Sequence, residues 1–289
     1  MRLVPPAQCS ALSGAITDPP VPPGVDPAAP APARLYDYYL GGSNNFEADR
    51  IAAERLRMNL PELSDAAWAN RGFHQRAAAW LAAEQGISQF IDIGAGLPTQ
   101  ENTHGVVRRA EPDARVVYVD HDPMVVAHAQ HLLSDTAATT FVAADLRDPG
   151  SVLGDPGLLE LIDFAEPAGL LMTAVLQFVA DSDDPWALVK HYVSELAPGS
   201  YLVLSHATGD KLPPRAIRAM VKTYESATEK LVLRSRPEVE RFFCGLDLVS
   251  PYEGAPPGIS FTGQWGAEDP ALADSDGSRV AYCGVARCP

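Results

Sequence analysis

The chain has 289 residues, enough for one large domain or two small ones, with 46% hydrophobic and 20% charged residues, which are ordinary values for a globular protein. No apolar run reaches the roughly 18 residues of a membrane span, and no signal segment with about 7 to 15 apolar residues follows the start, so we expect a cytoplasmic protein without a membrane partner. A formal net charge of −15 repels polyanions. It argues against DNA or RNA as substrate and favours a neutral or cationic small molecule.

The N-terminal region falls into two parts. Nine prolines occur between residues 5 and 32, among small residues without apolar periodicity, and predict a disordered tail over residues 1–32. The next segment, YDYYLGGSNN (residues 36–45), carries three tyrosines before a Gly-Gly break, a composition that predicts docking on another part of the protein. We therefore divide the chain into the tail, a helical lid or extension over residues 33–86, and a core over residues 87–289.

Two helices are predicted before the core. The first runs over residues 44–59, with Asn44 and Glu47 in capping-box spacing, and the second over residues 64–85, from Ser64 as N-cap to a stop at Gly86.

From residue 90 onward, short apolar runs alternate with helical stretches, as in a mostly parallel sheet with helices on both faces. The first predicted strands cover residues 90–93, 116–119, 140–143, 169–175 and 201–205. Later elements are a helix over residues 214–228, a helix with a capping box formed by Ser235 and Glu238, and strands over 246–249 and 280–286. The fold class is therefore α/β and Rossmann-like, with seven strands and an N-terminal helical extension.

The most informative motif is FIDIGAGLPTQ (residues 90–100), in which a strand turns through Gly94 and Gly96. Glycines here permit a tight turn and a close approach of a ligand to the backbone. A dinucleotide fingerprint needs a third glycine, but that position holds Thr99. Asp92, just before the glycines, would repel a pyrophosphate but attract an ammonium group such as that of methionine.

Acids also follow the next two predicted strands. Asp120 suits the two hydroxyls of a ribose, and Asp122 either joins it or caps the following helix. Asp145, after the third strand, suits an adenine amino group, or is only a turn residue. Because parallel strands end at one edge of a sheet, these acids should lie together where open α/β sheets bind ligands.

These motifs appear in the chain order of a known family, together with five others: ARLYDYYLGGSNNFEADR, NRGF, VLQFVADSDDP, PGSYLVLSHAT and the closing YCGVAR. The chain resembles class I S-adenosylmethionine-dependent methyltransferases, whose sheet ends in an antiparallel hairpin. More narrowly, it is similar to an actinobacterial-type S-adenosyl methyltransferase family of unknown substrate, formerly a domain of unknown function. The resemblance implies S-adenosylmethionine as cofactor, S-adenosylhomocysteine as product, and cofactor contacts by six residues: Asp92, Gly94, Gly96, Asp120, Asp145 and, through its backbone, Leu146.

The YDYYLGG and NRGF segments have no counterpart in the general class, so we expect them to supply the lid and part of the acceptor pocket. The residues assigned there are Tyr36, Tyr39, Gly41, Asn45, Asn70 and Arg71. The planar guanidinium of Arg71 suits the methionine carboxylate. In the alternative interpretation, the tyrosines only attach an N-terminal helix to the core.

Candidate catalytic residues are few, since methyl transfer from a sulfonium depends mainly on proximity and alignment. His206, at the end of the fifth strand, is the first candidate for a base or an acceptor-orienting group, and Gln177 is the second. His128 and His131 lack partners at metal-ligand spacing, so no metal is expected. Two alternatives stay open: a non-catalytic protein that binds S-adenosylmethionine or S-adenosylhomocysteine, and an NAD-dependent oxidoreductase. The sequence does not specify the oligomeric state.

Overall fold

The computed structural model describes residues 18–132 and 138–289. Three helices come first: α1 (Pro32–Tyr39), α2 (Glu47–Arg57) and α3 (Leu63–Gln85). Strands and helices then alternate: β1 (Gln89–Ile93), α4 (Thr103–Val107), β2 (Arg115–Asp120), α5 (Pro123–Leu132), β3 (Thr139–Ala143), α6 (Pro149–Leu153), α7 (Pro156–Leu161), β4 (Gly169–Thr173), α8 (Pro185–Ser194) and β5 (Tyr201–Ala207). The last elements are α9 (Pro214–Glu225), α10 (Arg236–Glu240), β6 (Asp247–Leu248), β7 (Ser260–Phe261) and β8 (Ala281–Arg287).

The strands form one mixed sheet in the order β3-β2-β1-β4-β5-β8-β6, with β7 also paired to β8. The first five strands are parallel, whereas β8 is antiparallel to β5. On its other side, β8 pairs antiparallel with β6 and β7 at different positions along its length. The predicted α/β class and the antiparallel end of the sheet are confirmed. The strand count is eight rather than seven, because residues 260–261 add a strand too short to leave an alternating pattern.

Helices cover both faces of the sheet. Successive residues of one strand therefore pack into two hydrophobic cores, one on each face. Ile91 packs with Leu158 of α7 on one face, while its neighbour Phe90 packs with Leu81 of α3 on the other. All five residues of β1 are buried, as expected for a parallel strand enclosed on both faces. The two cores hold the strand ends rigidly at one edge.

Several helix ends agree with the sequence, but the predicted N-cap Ser64 does not, because α3 begins at Leu63 and Ser64 lies inside it. Gly86 ends α3 in a left-handed conformation, and Ser235 and Glu238 form the predicted capping box of α10. The predicted start of α2 at Asn44 is wrong by three residues. The backbone N–H of Asn44 donates to Asp37 Oδ2 at 2.8 Å, so this residue is held by α1, and α2 begins at Glu47.

The predicted tail is longer than the structure supports. Residues 1–17 lie outside the described residues, but residues 18–31 lie against the domain. Ala31 is fully buried and its N–H donates to Asp49 Oδ1 at 3.0 Å. Arg34 forms a buried ion pair with Asp49 at 2.8 Å and donates to the carbonyls of Asp26 and Ala29. Composition predicted disorder here because several of these contacts use backbone groups, namely the carbonyls of Asp26 and Ala29 and the N–H of Ala31, which leave no periodic pattern in the sequence.

Candidate active site

A cavity of about 420 Å³ runs along the edge of the sheet at which the parallel strands end. Cavities of roughly 300 to 1,000 Å³ at this edge are the usual ligand sites of open α/β sheets. One part lies beyond β1, β2 and β3, and we call it the acidic half after its side chains Asp92, Asp120, Asp122 and Asp145. The other part lies beyond β4, β5 and the start of β8, under α1, α3 and α9. We call it the apolar half after the side chains of Tyr39, Ala66, Phe178, Met220, Tyr224 and Val280.

The glycine turn after β1 forms the floor of the acidic half. Gly94 and Gly96 have φ angles of 73° and 66°, which favour glycine over residues with a Cβ. A Cβ on Gly94 would also collide with the side chain of Val175, whereas the space around Gly96 is open. The Gly94 N–H donates to Val119 O at 2.8 Å. The turn is thereby fixed to the end of β2, with its backbone exposed to the cavity.

Asp120 joins this turn to the next strand end. Its Oδ2 accepts the Gly96 N–H and its Oδ1 accepts the Asp122 N–H, both at 2.9 Å. Burial raises the pKa of Asp120, although these two hydrogen bonds favour its ionised form. Each carboxylate oxygen can accept more than one hydrogen bond, so the group remains able to receive hydroxyls of a ligand. Asp122 also lines the cavity, but its Oδ1 accepts the Met124 N–H at 2.8 Å and thus caps α5.

Asp145 and Leu146 line the acidic half beyond β3. Burial tends to raise the pKa of Asp145, but hydrogen bonds and charge from Arg147 bring it below its usual value. Arg147 also reaches Glu229, from the loop after α9, at 3.3 Å. The Leu146 carbonyl accepts the hydroxyl of Tyr192 at 2.8 Å, which fixes this turn against the core. Asp145 has a turn role, because its Oδ1 accepts the Arg147 N–H at 2.9 Å, and Arg147 connects this turn to the loop that carries Glu229.

Asp92 lies at the end of a buried polar chain. Thr173 donates to His74 Nδ1 at 2.9 Å, His74 Nε2 donates to Thr103 at 2.8 Å, and the Thr103 hydroxyl donates to Asp92 Oδ2 at 2.6 Å. Burial, reinforced by the charge of Arg71, lowers the pKa of His74 to about 3, so the imidazole is neutral. Burial raises the pKa of Asp92 to about 6. Within the described part of the chain, this carboxylate accepts a hydrogen bond only at Oδ2, which leaves Oδ1 available to a ligand.

Arg71, from α3, also lines the cavity. Its Nη2 donates to the carbonyls of Glu101 and Gln100 at 2.6 and 3.3 Å. Its Nε is buried and has no hydrogen-bond partner among the described residues. An unpaired buried donor on a guanidinium is costly unless a ligand pairs with it. The side chain is thus suited to an anionic group bound beside Asp92.

The tyrosines of α1 enclose the cavity and are held by hydrogen bonds. Tyr36 donates to Ala67 O at 3.1 Å and accepts from Asn70 Nδ2 at 2.9 Å, while Ser205 of β5 donates to Asn70 Oδ1 at 2.5 Å. Tyr36, Tyr39 and Asn70 all line the cavity. The helix is therefore attached to the sheet, as in the alternative interpretation of these tyrosines, and it also covers the cavity.

Gly41 and Asn45 are not among the residues that line the cavity. Gly41 turns the chain after α1 with a φ angle of 81°, and the Asn45 amide donates to Asp37 Oδ2 at 2.8 Å. Asp37 in turn accepts the hydroxyl of Thr99 at 2.6 Å. These residues stabilise the connection between α1 and the glycine turn instead of contacting the cavity themselves. Asp37 and Thr99 were not predicted to act together, since their pairing joins segments 62 residues apart.

His206 does not reach the cavity, contrary to expectation. Its Nδ1 donates to the carbonyl of Ala207 at 2.8 Å, and its Nε2 accepts from Arg234 at 2.7 Å. The side chain is fully buried, and burial lowers its pKa to about 3. Both nitrogens are engaged and the ring stays neutral, so His206 cannot serve as the base. Its place near the end of β5 predicted a side chain in the cavity, but that side chain lies on the side that faces Arg234.

Gln177 does line the cavity, just beyond β4. The strand ends two residues earlier than predicted, because Ala174 takes a φ angle of 53° and donates its N–H to Ser205. The Gln177 Oε1 accepts the Ala207 N–H at 3.3 Å, which holds the amide between β4 and β5. Gln177 is the one of the two candidate catalytic residues that the fold brings to the site.

The residues that act on Asp92 through hydrogen bonds, His74 and Thr103, were not predicted from the sequence. His74 lies three positions after Arg71 on α3, so the two share a helix face, and this spacing was the available signal. Thr103 is separated from Asp92 by a loop of no regular pattern. Only the path of that loop brings its hydroxyl to the carboxylate.

The described residues show neither a metal site nor a helix that could span a membrane. No group of three or more His, Cys, Asp or Glu side chains there could hold a metal ion. His128 contacts Met124 O and Asn44 Oδ1, and the side chain of His131 lies outside what the structure describes. No helix in residues 18–132 and 138–289 is long and apolar enough to cross a membrane.

The fold and the site together define a class of protein. Acids stand at the ends of the first three strands, and the helix after the glycine turn, α4, begins only at Thr103, whose hydroxyl faces Asp92. A dinucleotide pyrophosphate requires a helix N-terminus directly after the glycines. The arrangement is that of a class I methyltransferase, which binds a cationic sulfonium cofactor.

Comparison with known proteins identifies the family. The chain belongs to the S-adenosyl methyltransferase family, which it matches over residues 20–289. It is 39% identical to a candidate methyltransferase from Thermobifida fusca YX, with a TM-score of 0.83, covering 92% of this chain and 97% of the other. It is 38% identical to a DUF574 family protein from Streptomyces avermitilis MA-4680, with a TM-score of 0.83, covering 90% and 98%. No curated protein matches it. The protein is a methyltransferase that uses S-adenosylmethionine.

Proposed function

We propose that this enzyme methylates a small molecule held in the apolar half of the cavity. The observation that carries the proposal is that one cavity continues from the acid-lined ends of β1–β3 to the apolar ends of β4, β5 and β8. α1 and α3 cover the second part, and the hydrogen bonds of Tyr36 and Asn70 keep α1 against the sheet. A covered chamber admits a small molecule more readily than a protein or nucleic acid, and the net charge of −15 also disfavours polyanions.

The acidic half fits the parts of S-adenosylmethionine one by one. The free Oδ1 of Asp92 suits the ammonium group, and the unpaired Nε of Arg71 suits the neighbouring carboxylate. Asp120 would accept the ribose hydroxyls, with Gly94 and Gly96 allowing close approach. Beyond it, Asp145 and the backbone of Leu146 would receive the adenine, and Asp122 would contribute mainly as the cap of α5.

When bound, S-adenosylmethionine supplies an activated methyl group; its transfer to a nucleophilic acceptor atom breaks the methyl–sulfur bond, leaves S-adenosylhomocysteine and releases the acceptor's proton. The chain's contribution is to align the two ligands and exclude water. Gln177, held by the Ala207 N–H, would orient the acceptor. Since His206 and His74 have both nitrogens engaged, neither histidine would act as the base.

The cofactor assignment is tested by Asp120→Ala, with Asp122→Ala as the matched control. The first variant should lose about 1 to 3 kcal/mol of S-adenosylhomocysteine binding free energy, because hydroxyls lose their acceptor. The second should lose up to about 1 kcal/mol of stability through its cap but keep its affinity. Titration calorimetry measures the affinity, and unfolding measures the stability. Parental affinity in Asp120→Ala would exclude the ribose assignment.

The small-molecule assignment is tested with labelled S-adenosylmethionine and a cell extract divided into small-molecule and macromolecular fractions. We expect label to pass to the small-molecule fraction and to depend on the acidic half, so that Asp120→Ala reduces it. Label transferred only to protein or nucleic acid would contradict the proposal.

A further inference from the structure

The apolar half lies apart from the acids and is built differently. It is formed by the segment after β4, the start of β8 and three helices, with the side chains of Tyr39, Ala66, Phe178, Met220, Tyr224 and Val280 facing the cavity. None of these six carries a charge. Burial raises the pKa of both Tyr39 and Tyr224, so their hydroxyls remain protonated and neutral.

The charged side chains near this half are engaged by the protein or assigned to the cofactor: Arg71 to the cofactor's carboxylate, and Arg34 and Glu229 to protein partners. Arg34 lines the cavity from α1, but it pairs with Asp49 at 2.8 Å in a buried ion pair. Glu229 accepts from Arg147 at 3.3 Å at the acidic half. A charged acceptor would therefore enter the apolar half without a counter-charge and lose its hydration.

Two further features indicate what this half would bind. Phe178 and Tyr224 hold their rings 5.5 Å apart at 42° and belong to the same hydrophobic cluster as Met220, so the wall offers aromatic and polarisable surface. The side chain of Tyr39 is only 6% exposed, lines the cavity, and its hydroxyl has no hydrogen-bond partner among the described residues. A ligand with one suitably placed oxygen would satisfy it.

We propose that the methyl acceptor is an uncharged, mainly apolar ring compound carrying a hydroxyl or carbonyl oxygen, with its ring against Phe178, Met220 and Tyr224 and its oxygen bonded to Tyr39. This inference rests on the proposed function and adds the chemical class of the acceptor. Tyr39 is then a specificity-determining residue, because its hydrogen bond makes an oxygen-bearing ring bind more tightly than a bare hydrocarbon.

The probes are 2-naphthol, its anionic analogue 2-naphthoate and the hydrocarbon naphthalene, each titrated into protein saturated with S-adenosylhomocysteine. We expect 2-naphthol to bind at least about tenfold more tightly than 2-naphthoate, which would bury an unpaired charge. Tyr39→Phe should weaken the binding of 2-naphthol about tenfold, because one hydrogen bond is lost, and should leave the affinity for naphthalene unchanged. Met220→Lys should abolish 2-naphthol binding, whereas Met58→Lys, at a 76% exposed position just after α2, should not change it.

The S-adenosylhomocysteine titration of each variant separates the two proposals. If 2-naphthoate binds as well as 2-naphthol, or if 2-naphthol does not bind while S-adenosylhomocysteine does, the acceptor class is wrong and the methyltransferase site stands. If the parent protein binds no S-adenosylhomocysteine, the proposed function itself fails. Should Met220→Lys not fold, Tyr39→Phe decides alone: equal losses for 2-naphthol and naphthalene, or none for either, would overturn the role of Tyr39.

Discussion

Asp92, which we propose to bind the cofactor's ammonium group, carries a cost in stability. It is only 4% exposed, and burial raises its pKa to about 6 in spite of the hydrogen bond from Thr103. An aspartate in the unfolded chain titrates near pH 4, so the folded state holds its proton more tightly. The associated stability is present below about pH 4 and is lost as the pH rises through 6.

We predict that Asp92→Asn stabilises the ligand-free protein at pH 8 by roughly 2 to 3 kcal/mol, the cost of ionising the buried carboxyl. The gain should shrink as the pH falls from 6 to 4, where the aspartate is itself protonated. The same variant should bind S-adenosylhomocysteine more weakly, because the attraction to the ammonium group is lost. Denaturant unfolding at several pH values and calorimetric titration measure the two effects.

Thr103→Val provides the matched control, since it removes the hydroxyl that donates to Asp92 but keeps the charge. It should lower the stability at pH 8, where the carboxylate needs that donor. If Asp92→Asn were destabilising at pH 8 and neutral toward the ligand, Asp92 would be a structural residue rather than a binding one.

At the scale of elements, the segment before α1 contributes to the site. Gly24, Val25 and Asp26 line the cavity, and the Thr228 N–H donates to Pro30 O at 2.9 Å. The segment therefore meets the loop that carries Glu229, and the two cover the acidic half together.

Two truncations distinguish the parts of the predicted tail. Removal of residues 1–17 should leave the melting temperature and S-adenosylhomocysteine affinity nearly unchanged, given their composition. Removal of residues 1–31 should lower both, because Arg34 loses its carbonyl acceptors and Asp49 loses the Ala31 N–H. Thermal unfolding and titration of both truncated proteins provide the measurement. Equal behaviour of the two would mean that residues 18–31 contribute nothing.

For α1 itself, we predict that hydrogen exchange at residues 36–45 slows when S-adenosylhomocysteine binds, and slows more than at β6. The helix covers the cavity through Tyr36 and Tyr39, and ligand contacts should suppress its local opening. Tyr36→Phe, which loses the hydrogen bond to Ala67, should exchange faster without ligand. Unchanged exchange of residues 36–45 on ligand addition would identify α1 as a permanent brace.

At the scale of the whole molecule, the cavity along the sheet edge contains two environments, with acids at one end and apolar rings at the other. S-adenosylmethionine carries a sulfonium and an ammonium against one carboxylate, so the acidic end complements its net positive charge. NAD, with its pyrophosphate, meets like charges and no helix N-terminus beside the glycines.

We therefore predict that S-adenosylhomocysteine raises the melting temperature in a concentration-dependent way. At a hundred times its dissociation constant, it should raise the free energy of unfolding by about 2.7 kcal/mol. NAD at the same concentrations should have no effect. Thermal unfolding with each ligand measures this. Stabilisation by NAD alone would contradict the assignment of the acids.

The sequence by itself determined the fold class, the glycine turn and the acids at the strand ends. These features are local: burial of a parallel strand requires a continuous apolar run, and a strand's end is visible where that run stops. Asp92, Asp120 and Asp145 were found because each follows such a run, and parallel topology then places them at one edge.

The direction and partners of individual side chains were decided only by the tertiary structure. His206 ends a strand at the expected edge, yet packing turns it toward Arg234 and away from the cavity. The chain from Thr173 through His74 to Asp92, and the contacts of residues 18–31, join segments far apart in sequence. Such contacts form when the helices dock, and their hydrogen bonds do not repeat with any period. A sequence pattern therefore reveals which residues reach the edge of the sheet, while packing decides which of them face the ligand.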